Sequence, residues 1–365
     1  AYIYNINGGM MQSTSDDTIT TSMNVVVPAP GKLVVGEEAT GTWCGWCPRG
    51  AVALNWMDHD YAGYWQGIAV HNGDDMVCGP YDSDIGAYIG GYPSGLVDRG
   101  PETDPSDFKI DFLNRITVAP KGIITNGAEF VDSTTLRVSL TVDFQQQATG
   151  AYKLACVLVE DSVTGSGPAY YQSNYYSGGT SLIDVDGQDW NQLPGNVPDY
   201  MMVYRHVARS IAPDFRGQDL SQTSYNSGDS ETICYEFDLN SSWDLSQIHI
   251  VGMLINASGT DNASSTSIPT AISNGYTVCA TASTSLDLNG PGIVKVFPNP
   301  TVDKTFISNI EEEVIITVFD VKGKQVMKEK VSNEQYLDVS ELQKGIYQIK
   351  IEGKDWIETR KLVKQ

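Results

Sequence analysis

The sequence lacks any apolar run of the roughly 18 residues that a membrane-spanning helix requires. Its longest apolar segment, Ile248 to Ile255, has the length of a strand, so we expect no membrane-spanning segment. Basic residues are scarce as well, because 23 Lys and Arg stand against 45 Asp and Glu and the formal net charge is -22. Nucleic acids and anionic membranes bind basic surfaces. The composition therefore predicts no nucleic-acid partner.

The chain also shows no basic and apolar leader, and we expect that any signal peptide has been removed or lies outside this sequence. Cysteine is scarce but even in number, which in an exported chain favours disulfides without deciding their pairing. The six are Cys44, Cys47, Cys78, Cys156, Cys234 and Cys279. For Cys78 the sequence favours a structural disulfide with a cysteine of the later β-rich region over a third redox thiol.

The distribution of charge marks a domain boundary. Residues 286–365 contain 12 Lys+Arg and 13 Asp+Glu, whereas residues 1–285 contain 11 and 32. A shift this abrupt is typical of a domain junction. The sequence predicts an α/β plus all-β fold in four regions: an N-terminal β segment at 1–30, an α/β domain at 31–118, an antiparallel β-sandwich with a long insertion at 119–285, and a small β-sandwich at 286–365.

Periodicity supports the two middle regions. Between residues 32 and 115, apolar runs alternate with a helical stretch at 48–61, a pattern typical of α/β domains. The later region instead shows alternating or continuously apolar runs, which predict strands at 136–144, 152–160, 233–239 and 248–256. The Tyr-, Gly- and Ser-rich stretch 161–230 has no periodicity from which a fold can be predicted.

A pair of cysteines, Cys44 and Cys47, follows the first apolar strand and directly precedes the predicted helix. Unpaired N–H groups and the positive end of the helix dipole stabilise a thiolate at a helix N-terminus and lower its pKa. The two intervening residues allow the sulfurs to close a small disulfide ring. We therefore expect Cys44 to be an exposed nucleophile and Cys47 to be a more buried resolving thiol.

This arrangement, together with the segment Gly91 to Asp98, resembles the thioredoxin fold. In that family a cis-proline precedes the next strand and packs against the dithiol, and Pro93 matches that position. The resemblance implies that the Tyr92 carbonyl lies beside Cys44 and receives extended substrate backbone. It also implies that the buried acid six residues before the first cysteine is Glu38, which would shuttle the proton of Cys47.

The motifs at 37–50, 71–74 and 92–99 are more narrowly similar to a thioredoxin-like, outer-membrane-protein-related family of Bacteroidetes. The resemblance extends over about 32–280 and implies that Trp43, Trp46 and Tyr92 contact substrate. Trp46 replaces the proline usual between thioredoxin's cysteines, and Pro48 directly follows the second cysteine. Both departures leave the direction of the redox reaction open.

Other interpretations of these residues remain. The Cys44–Cys47 pair could be an inert disulfide, and zinc is disfavoured because the sequence contains no second Cys-x-x-Cys. Glu38 could be a solvated strand residue and Pro93 a trans turn proline. The run Asp184 to Asp189 hints at calcium, although its spacing misses the EF-hand loop. We otherwise expect no cofactor.

The last region begins with Val296-Phe297-Pro298-Asn299-Pro300, continues through apolar strands such as 314–320, and ends in a basic strand at 359–365. It is similar to the type A sorting domains of type IX secretion. An ordinary Ig-like adhesive domain is the alternative. The resemblance implies the secretion machinery and a sortase as partners, export through the periplasm, and a location outside the cell or on the outer-membrane surface.

Two functions from different classes fit these patterns. The first is a thiol–disulfide oxidoreductase that acts on cysteine-containing protein substrates at the cell surface. The second is a non-catalytic surface module that binds a protein or glycan on a thioredoxin-derived scaffold. The tyrosines of the stretch 161–230 suit a binding surface, but they suit packing on the sandwich equally well.

Overall fold

A computed structural model describes residues 25–279, 294–308, 310, 313–320, 324–332, 336–354 and 357–365. The chain forms two compact units, of which the first ends at Cys279. Residues 1–24 of the predicted N-terminal β segment at 1–30 lie outside the described residues. Within the described ranges, no helix is long and apolar enough to cross a membrane.

The first unit contains strands and helices in alternation, followed by strands. Its helices are α1 (Pro48–Asp60), α2 (Gly79–Ile85), α3 (Phe108–Arg115) and α4 (Ile268–Asn274). Its strands are β1 (Val34–Thr40), β2 (Trp65–His71), β3 (Ser94–Val97), β4 (Glu102–Thr103), β5 (Gly122–Phe130), β6 (Thr135–Phe144), β7 (Ala148–Thr149), β8 (Lys153–Glu160), β9 (Gln172–Ser173), β10 (Asn196–Val197), β11 (Val207–Ala212), β12 (Gln218–Asp219), β13 (Ser224–Tyr225), β14 (Ser230–Asp238), β15 (Ile248–Asn256) and β16 (Gly259–Ser267).

A nine-stranded mixed sheet forms the centre of this unit, in the order β16-β15-β8-β11-β2-β1-β3-β4 with β12 on β8. Strand β1 pairs parallel with β2 and antiparallel with β3. Val207 of β11 pairs with Ala69 of β2, and this pairing joins strands from both predicted middle regions. The predicted boundary at 118/119 between two separate domains is therefore wrong, because one sheet runs across it.

The predicted sandwich is present, but one of its layers is this central sheet. Strands β14, β6 and β5 form a three-stranded sheet whose apolar side chains share a core with those of β8 and β15. Helices α1 and α3 cover the β1–β3 end of the sheet, and α2 packs on the face formed by Val35, Val157 and Met253. Strands β1 and β8 are almost completely buried because both of their faces are covered.

The insertion after β8 folds back toward α1. Between residues 161 and 206 it contains only two-residue strands and short 3-10 helices. Its apolar side chains, including Trp190, Val197 and Tyr204, form a core with Val52 of α1. This core holds the insertion against the start of α1, where the dithiol lies.

The cysteines pair differently from the prediction for Cys78. Cys44 is bonded to Cys47, and Cys234 is bonded to Cys279. Cys78 and Cys156 are free and buried. They belong to different apolar cores, with Cys78 in the core beneath α2 and Cys156 in the sandwich core. The predicted structural disulfide of Cys78 is therefore wrong, and this thiol packs as a small apolar side chain.

The second unit is a small two-sheet structure, as the sequence predicts. Its strands are β17 (Lys295–Phe297), β18 (Lys304–Ser308), β19 (Val314–Phe319), β20 (Gln325–Val331), β21 (Tyr336–Asp338), β22 (Gly345–Glu352) and β23 (Ile357–Lys364). The sheets β17-β18-β21 and β20-β19-β22-β23 share one apolar core.

Candidate functional site

The Cys44–Cys47 disulfide lies at the N-terminus of α1. Cys47 directly precedes Pro48, the first helical residue, where a proline is tolerated because N–H groups of the first turn have no helical partner. The Gly50 amide donates to the Cys47 carbonyl at 2.9 Å. Cys44 is 4% exposed and Cys47 is 2% exposed, so the expectation of an exposed Cys44 is wrong and both sulfurs are buried. The Arg49 and Ala51 amides also donate to the Trp46 and Cys47 carbonyls, so the first turn of α1 is paired within the dithiol loop.

Exposed aromatic side chains flank the disulfide. Trp43 is 51% exposed and Trp46 is 49% exposed. The Tyr92 ring lies edge-on to Trp43 with a centroid distance of 5.4 Å. The Tyr92–Pro93 peptide bond is cis, the expected isomer, and Pro93 directly precedes β3, whose Ser94 pairs with Ala39 at the end of β1. The predicted residues around the dithiol therefore lie at one end of the sheet.

Glu38 belongs to β1, and its side chain is enclosed beneath α1. It is therefore not the solvated strand residue of the alternative interpretation. A Cβ on Gly50 would overlap the Glu38 carboxylate, so only glycine at this position of α1 leaves room for it. Burial raises the pKa of Glu38 to about 8, although the Thr40 hydrogen bond and the charge of Arg49 act in the opposite direction. One carboxyl oxygen, Oε1, has no hydrogen-bond partner. The local structure therefore favours a neutral acid.

A cavity of about 60 Å³ brings Glu38 and Cys47 together. It is lined by Ala51 and Asn55 of α1, by His71 of β2, and by residues of the insertion that end at His206. The Nε2 atom of His206 is a second buried polar atom without a partner. A cavity of this size is large enough for water, since a buried water needs about 10–15 Å³.

The adjacent residue Glu37 faces the opposite side of β1 and has a structural role. Its carboxylate accepts hydrogen bonds from Arg99 at 2.9 Å and from the Tyr81 hydroxyl at 2.5 Å. All three side chains are buried, and the Arg99 guanidinium lies 3.7 Å from the Phe215 ring centroid. The two adjacent glutamates of β1 thus differ, because Glu37 is paired with a cation and Glu38 is not.

The insertion binds the dithiol loop through main-chain hydrogen bonds, a contact that sequence reasoning missed. The Tyr175 amide donates to the Gly45 carbonyl at 2.9 Å, and the Gln172 side-chain amide donates to the Cys44 carbonyl at 3.0 Å. A Cβ on Gly45 would lie only about 2.5 Å from the Tyr175 ring. Tyr175 and Tyr176 both pack edge-on against Trp46. Gly45 and Trp46, the residues between the cysteines, therefore pack directly against the insertion.

The predicted calcium run forms a loop at the outer end of the insertion. Asp184 accepts hydrogen bonds from the Asn55 side chain, and Asp189 accepts from Ser181 and from the Leu182 amide. Within the described residues, no group of three or more His, Cys, Asp and Glu side chains could hold a metal ion. Calcium at this loop stays a prediction from the sequence alone.

Comparison with known families decides where the chain belongs. Residues 86–269, just over half of the chain, match the model of the family described as outer membrane protein Omp28. The chain belongs to the Omp28 family. The matched range contains Tyr92, Pro93 and the insertion, whereas Glu38 and the dithiol precede it. Residues 295–365 of this Omp28-family chain match the secretion system C-terminal sorting domain.

Several solved structures resemble the chain. HBP35 of Porphyromonas gingivalis is 18% identical with a TM-score of 0.49, and the match covers 92% of this chain and 99% of HBP35. A protein of Agrobacterium tumefaciens is 16% identical with a TM-score of 0.37, covering 66% and 96%. A sporulation control protein from Bacillus subtilis is 11% identical with a TM-score of 0.23, covering 62% and 93%. No curated protein sequence matches the chain.

The family and the sorting domain determine the location. A C-terminal sorting domain of type IX secretion is handled by the secretion machinery, as found in Bacteroidetes. Together with membership of an outer membrane protein family, it confirms the prediction of a cell-surface or extracellular protein.

Proposed function

We propose that this Omp28-family chain is a thioredoxin-like thiol–disulfide oxidoreductase that acts on cysteine-containing proteins at the cell surface. The observation that carries the proposal is the buried Glu38 carboxyl, whose Oε1 atom has no hydrogen-bond partner and which shares a cavity with Cys47 behind the dithiol. An inert disulfide has no use for a buried acid, and burying one without a partner costs folding free energy. A strongly raised pKa beside a dithiol is typical of a functional site.

The reaction has two steps. The Cys44 thiolate attacks a protein disulfide, so that one substrate sulfur leaves with the bonding pair and a mixed disulfide forms. Glu38, which is protonated at rest, first releases its proton, and its carboxylate then takes the proton of Cys47. The Cys47 thiolate attacks Cys44 Sγ and releases the second substrate sulfur. The substrate gains two electrons and the Cys44–Cys47 pair loses two. The same steps in reverse oxidise a substrate dithiol.

The residues around the dithiol have distinct proposed roles. Trp43 packs edge-on against Tyr92 and Trp46 packs edge-on against Tyr175, and both pairs would contact substrate beside the dithiol. Pro93 directly precedes β3, and the Tyr92 carbonyl before it would accept a hydrogen bond from extended substrate backbone. The secretion machinery and a sortase that removes the sorting domain are the proposed partners in export.

A non-catalytic binding module is the second candidate. It is favoured by the low exposure of Cys44 and by the insertion that is hydrogen-bonded to the dithiol loop. In that case the exposed aromatic residues around Trp46 would bind a protein or glycan, and the disulfide would only stabilise the conformation of the loop that carries them.

The pKa of Cys44 separates the two candidates. In the reduced protein, alkylation of Cys44 measured against pH by peptide mass spectrometry should titrate at least about one unit below the ~8.5 of a free thiol. Cys78 is the internal control, because burial raises the pKa of its thiol and should keep alkylation slow. A Cys44 that reacts readily but titrates near a free thiol would contradict the enzyme and favour the binding module.

A further inference from the structure

Glu38 is protonated at rest, so it can take the proton of Cys47 only after its own proton has left for solvent. Glu38 is 1% exposed and lies beneath α1, and residues of the insertion line the other side of the cavity. A base that cannot exchange its proton acts only once, so the enclosed site requires an exit. The need for this exit rests on the proposed function, and the residues that could provide it lie outside the dithiol motif.

We infer that a water-linked path carries this proton from the Glu38 carboxyl through the cavity to His206, whose ring then releases a proton at Asp161 on the protein surface. Glu38 Oε1 and His206 Nε2 are both buried without a partner, and both residues line the same cavity. Two unpaired polar atoms beside a space large enough for water are expected to be bridged by water.

The fold fixes His206 in the position that this path requires. Its backbone is left-handed, with φ of 58°, and its carbonyl accepts from the Ala69 amide at 2.6 Å. Its own amide donates to Asp161 Oδ1 at 2.8 Å, and its Nδ1 atom lies 3.6 Å from the same oxygen. The side chain of Asp161 is 29% exposed. His206 therefore connects the cavity to a carboxylate that reaches solvent.

The chemistry of imidazole suits this position. A neutral ring with Nδ1–H toward Asp161 offers Nε2 as an acceptor to a cavity water, and protonation at Nε2 allows release at Nδ1. The cycle balances: Glu38 releases its own proton through water to Nε2, its carboxylate then takes the proton of Cys47, Nδ1 yields one proton to solvent at Asp161, and the ring regains its starting tautomer by proton exchange with water. The electron pair of Cys47 forms the Sγ–Sγ bond, and the protein disulfide is the only oxidant.

Burial favours the neutral form of both groups. Burial lowers the pKa of His206, with Arg205 and His249 acting in the same direction and Asp161 and Asp58 opposing them. Around Glu38, Asp104 adds to the effect of burial, whereas Arg49 and the Thr40 hydrogen bond oppose it. The remaining titratable groups of the cavity are His71, which is bound to Asp74, Asp184, which is bound to Asn55, and Tyr204, whose hydroxyl donates to the Tyr170 carbonyl.

The test separates the two steps of exchange. Reduced protein is mixed with 5,5′-dithiobis(2-nitrobenzoate); the first thionitrobenzoate released reports attack by Cys44, and the second reports resolution by Cys47. The variant His206→Asn suits the left-handed backbone, which asparagine tolerates. We expect it to leave the first step unchanged and to slow the second about tenfold or more near neutral pH. The difference should shrink at alkaline pH, where hydroxide removes the proton directly.

Two further variants make the result specific. Asp161→Asn retains an acceptor for the His206 amide, and we expect a smaller slowing of the second step with the same pH dependence. His59→Asn replaces an exposed histidine of α1 and should change neither step. An unchanged second step in His206→Asn, or a slowing that is equal at all pH values, would overturn the path, because a packing role would not depend on pH.

A second measurement is independent of activity. The infrared band of the protonated Glu38 carboxyl, identified by its loss in Glu38→Gln, should shift in His206→Asn because the shared water changes its hydrogen bonds. If the parent shows no exchange yet the band shifts, the proposed function fails and the hydrated connection stands. A band that does not respond overturns the path whether or not the protein exchanges disulfides.

Discussion

Glu38 is the residue at which the proposed function and the stability of the fold conflict. Its pKa is about 8 in the folded protein, against an ordinary value of 4.5. Below pH 4.5 the folded and unfolded states both hold the proton, so ionisation of Glu38 does not change the free energy of unfolding there. As the pH rises toward 8 the unfolded chain releases the proton and the folded protein keeps it. The free energy of unfolding must therefore fall with pH across this window.

The variant Glu38→Gln should remove this pH dependence. Glutamine resembles the protonated acid, so we expect the variant to match the parent near pH 4 and to exceed its free energy of unfolding by about 3 kcal/mol near pH 7. Denaturant unfolding of both proteins across this range measures the difference. The Glu38→Gln variant should also lose the resolving step of exchange, because an amide takes no proton.

Glu37→Gln is the matched control for this prediction. It changes the adjacent residue of β1, which is paired with buried Arg99. Removing one partner of a buried pair typically costs about 3–5 kcal/mol, so this variant should be less stable than the parent instead of more stable. A Glu38→Gln variant whose stability relative to the parent is the same at pH 4 and pH 7 would show that Glu38 is not a buried neutral acid.

At the scale of elements, the predictable part of the site lies on β1 and α1. An apolar strand, a Cys-x-x-Cys sequence and a proline that starts a helix are local signals, and they correctly located α1 at Pro48–Asp60. Cys44, Cys47 and Glu38 are brought together by those two elements alone. Their geometry could therefore be predicted without knowledge of the rest of the chain.

The contribution of the insertion could not be predicted in this way. Ser173 and Tyr175 bind the dithiol loop through their backbone amides, and such bonds are available to almost any residue type. Strands β9 and β10 are two residues long, too short to show a period. His206 reaches the cavity by a left-handed backbone, a conformation without a clear signal in a histidine. The residues that close the site thus leave no pattern in the sequence.

The predicted boundary at 118/119 is wrong for a related reason. Strand β11 joins the two halves of the sheet, and it lies beyond the insertion, far in sequence from its partner β2. One available signal was the continuous apolar character of 152–160 and 248–256, because such runs are typical of strands covered on both faces. Both strands, β8 and β15, are indeed central and buried on both faces.

At the scale of the whole molecule, the chain divides into a unit that carries the dithiol and a unit that carries the sorting domain. The second unit has its own apolar core of residues from β18, β19, β21 and β22. The two disulfides both belong to the first unit, so no described cross-link joins the units. Each unit is therefore expected to fold alone.

Deleting residues 286–365 should leave the first unit folded and stop its display on the cell surface. A unit with a separate core contributes little to its neighbour, so calorimetry should show almost the same melting temperature for the first unit in the truncated and full-length chains. Fractionation of cells that express each form should find the truncated form in the periplasm. Normal surface display of the truncated form would contradict the role of the sorting domain.

The proposed exchange is tested most directly by trapping it. In Cys47→Ser the first step remains possible and the resolving step does not, so incubation with a disulfide-containing protein should accumulate a mixed disulfide at Cys44. Intact-mass and peptide mass spectrometry would identify the adduct and its position. The double variant Cys44→Ser/Cys47→Ser should form none. If Cys47→Ser forms no adduct while Cys44 remains accessible to alkylation, the dithiol is not an exchange site and the proposed function is contradicted.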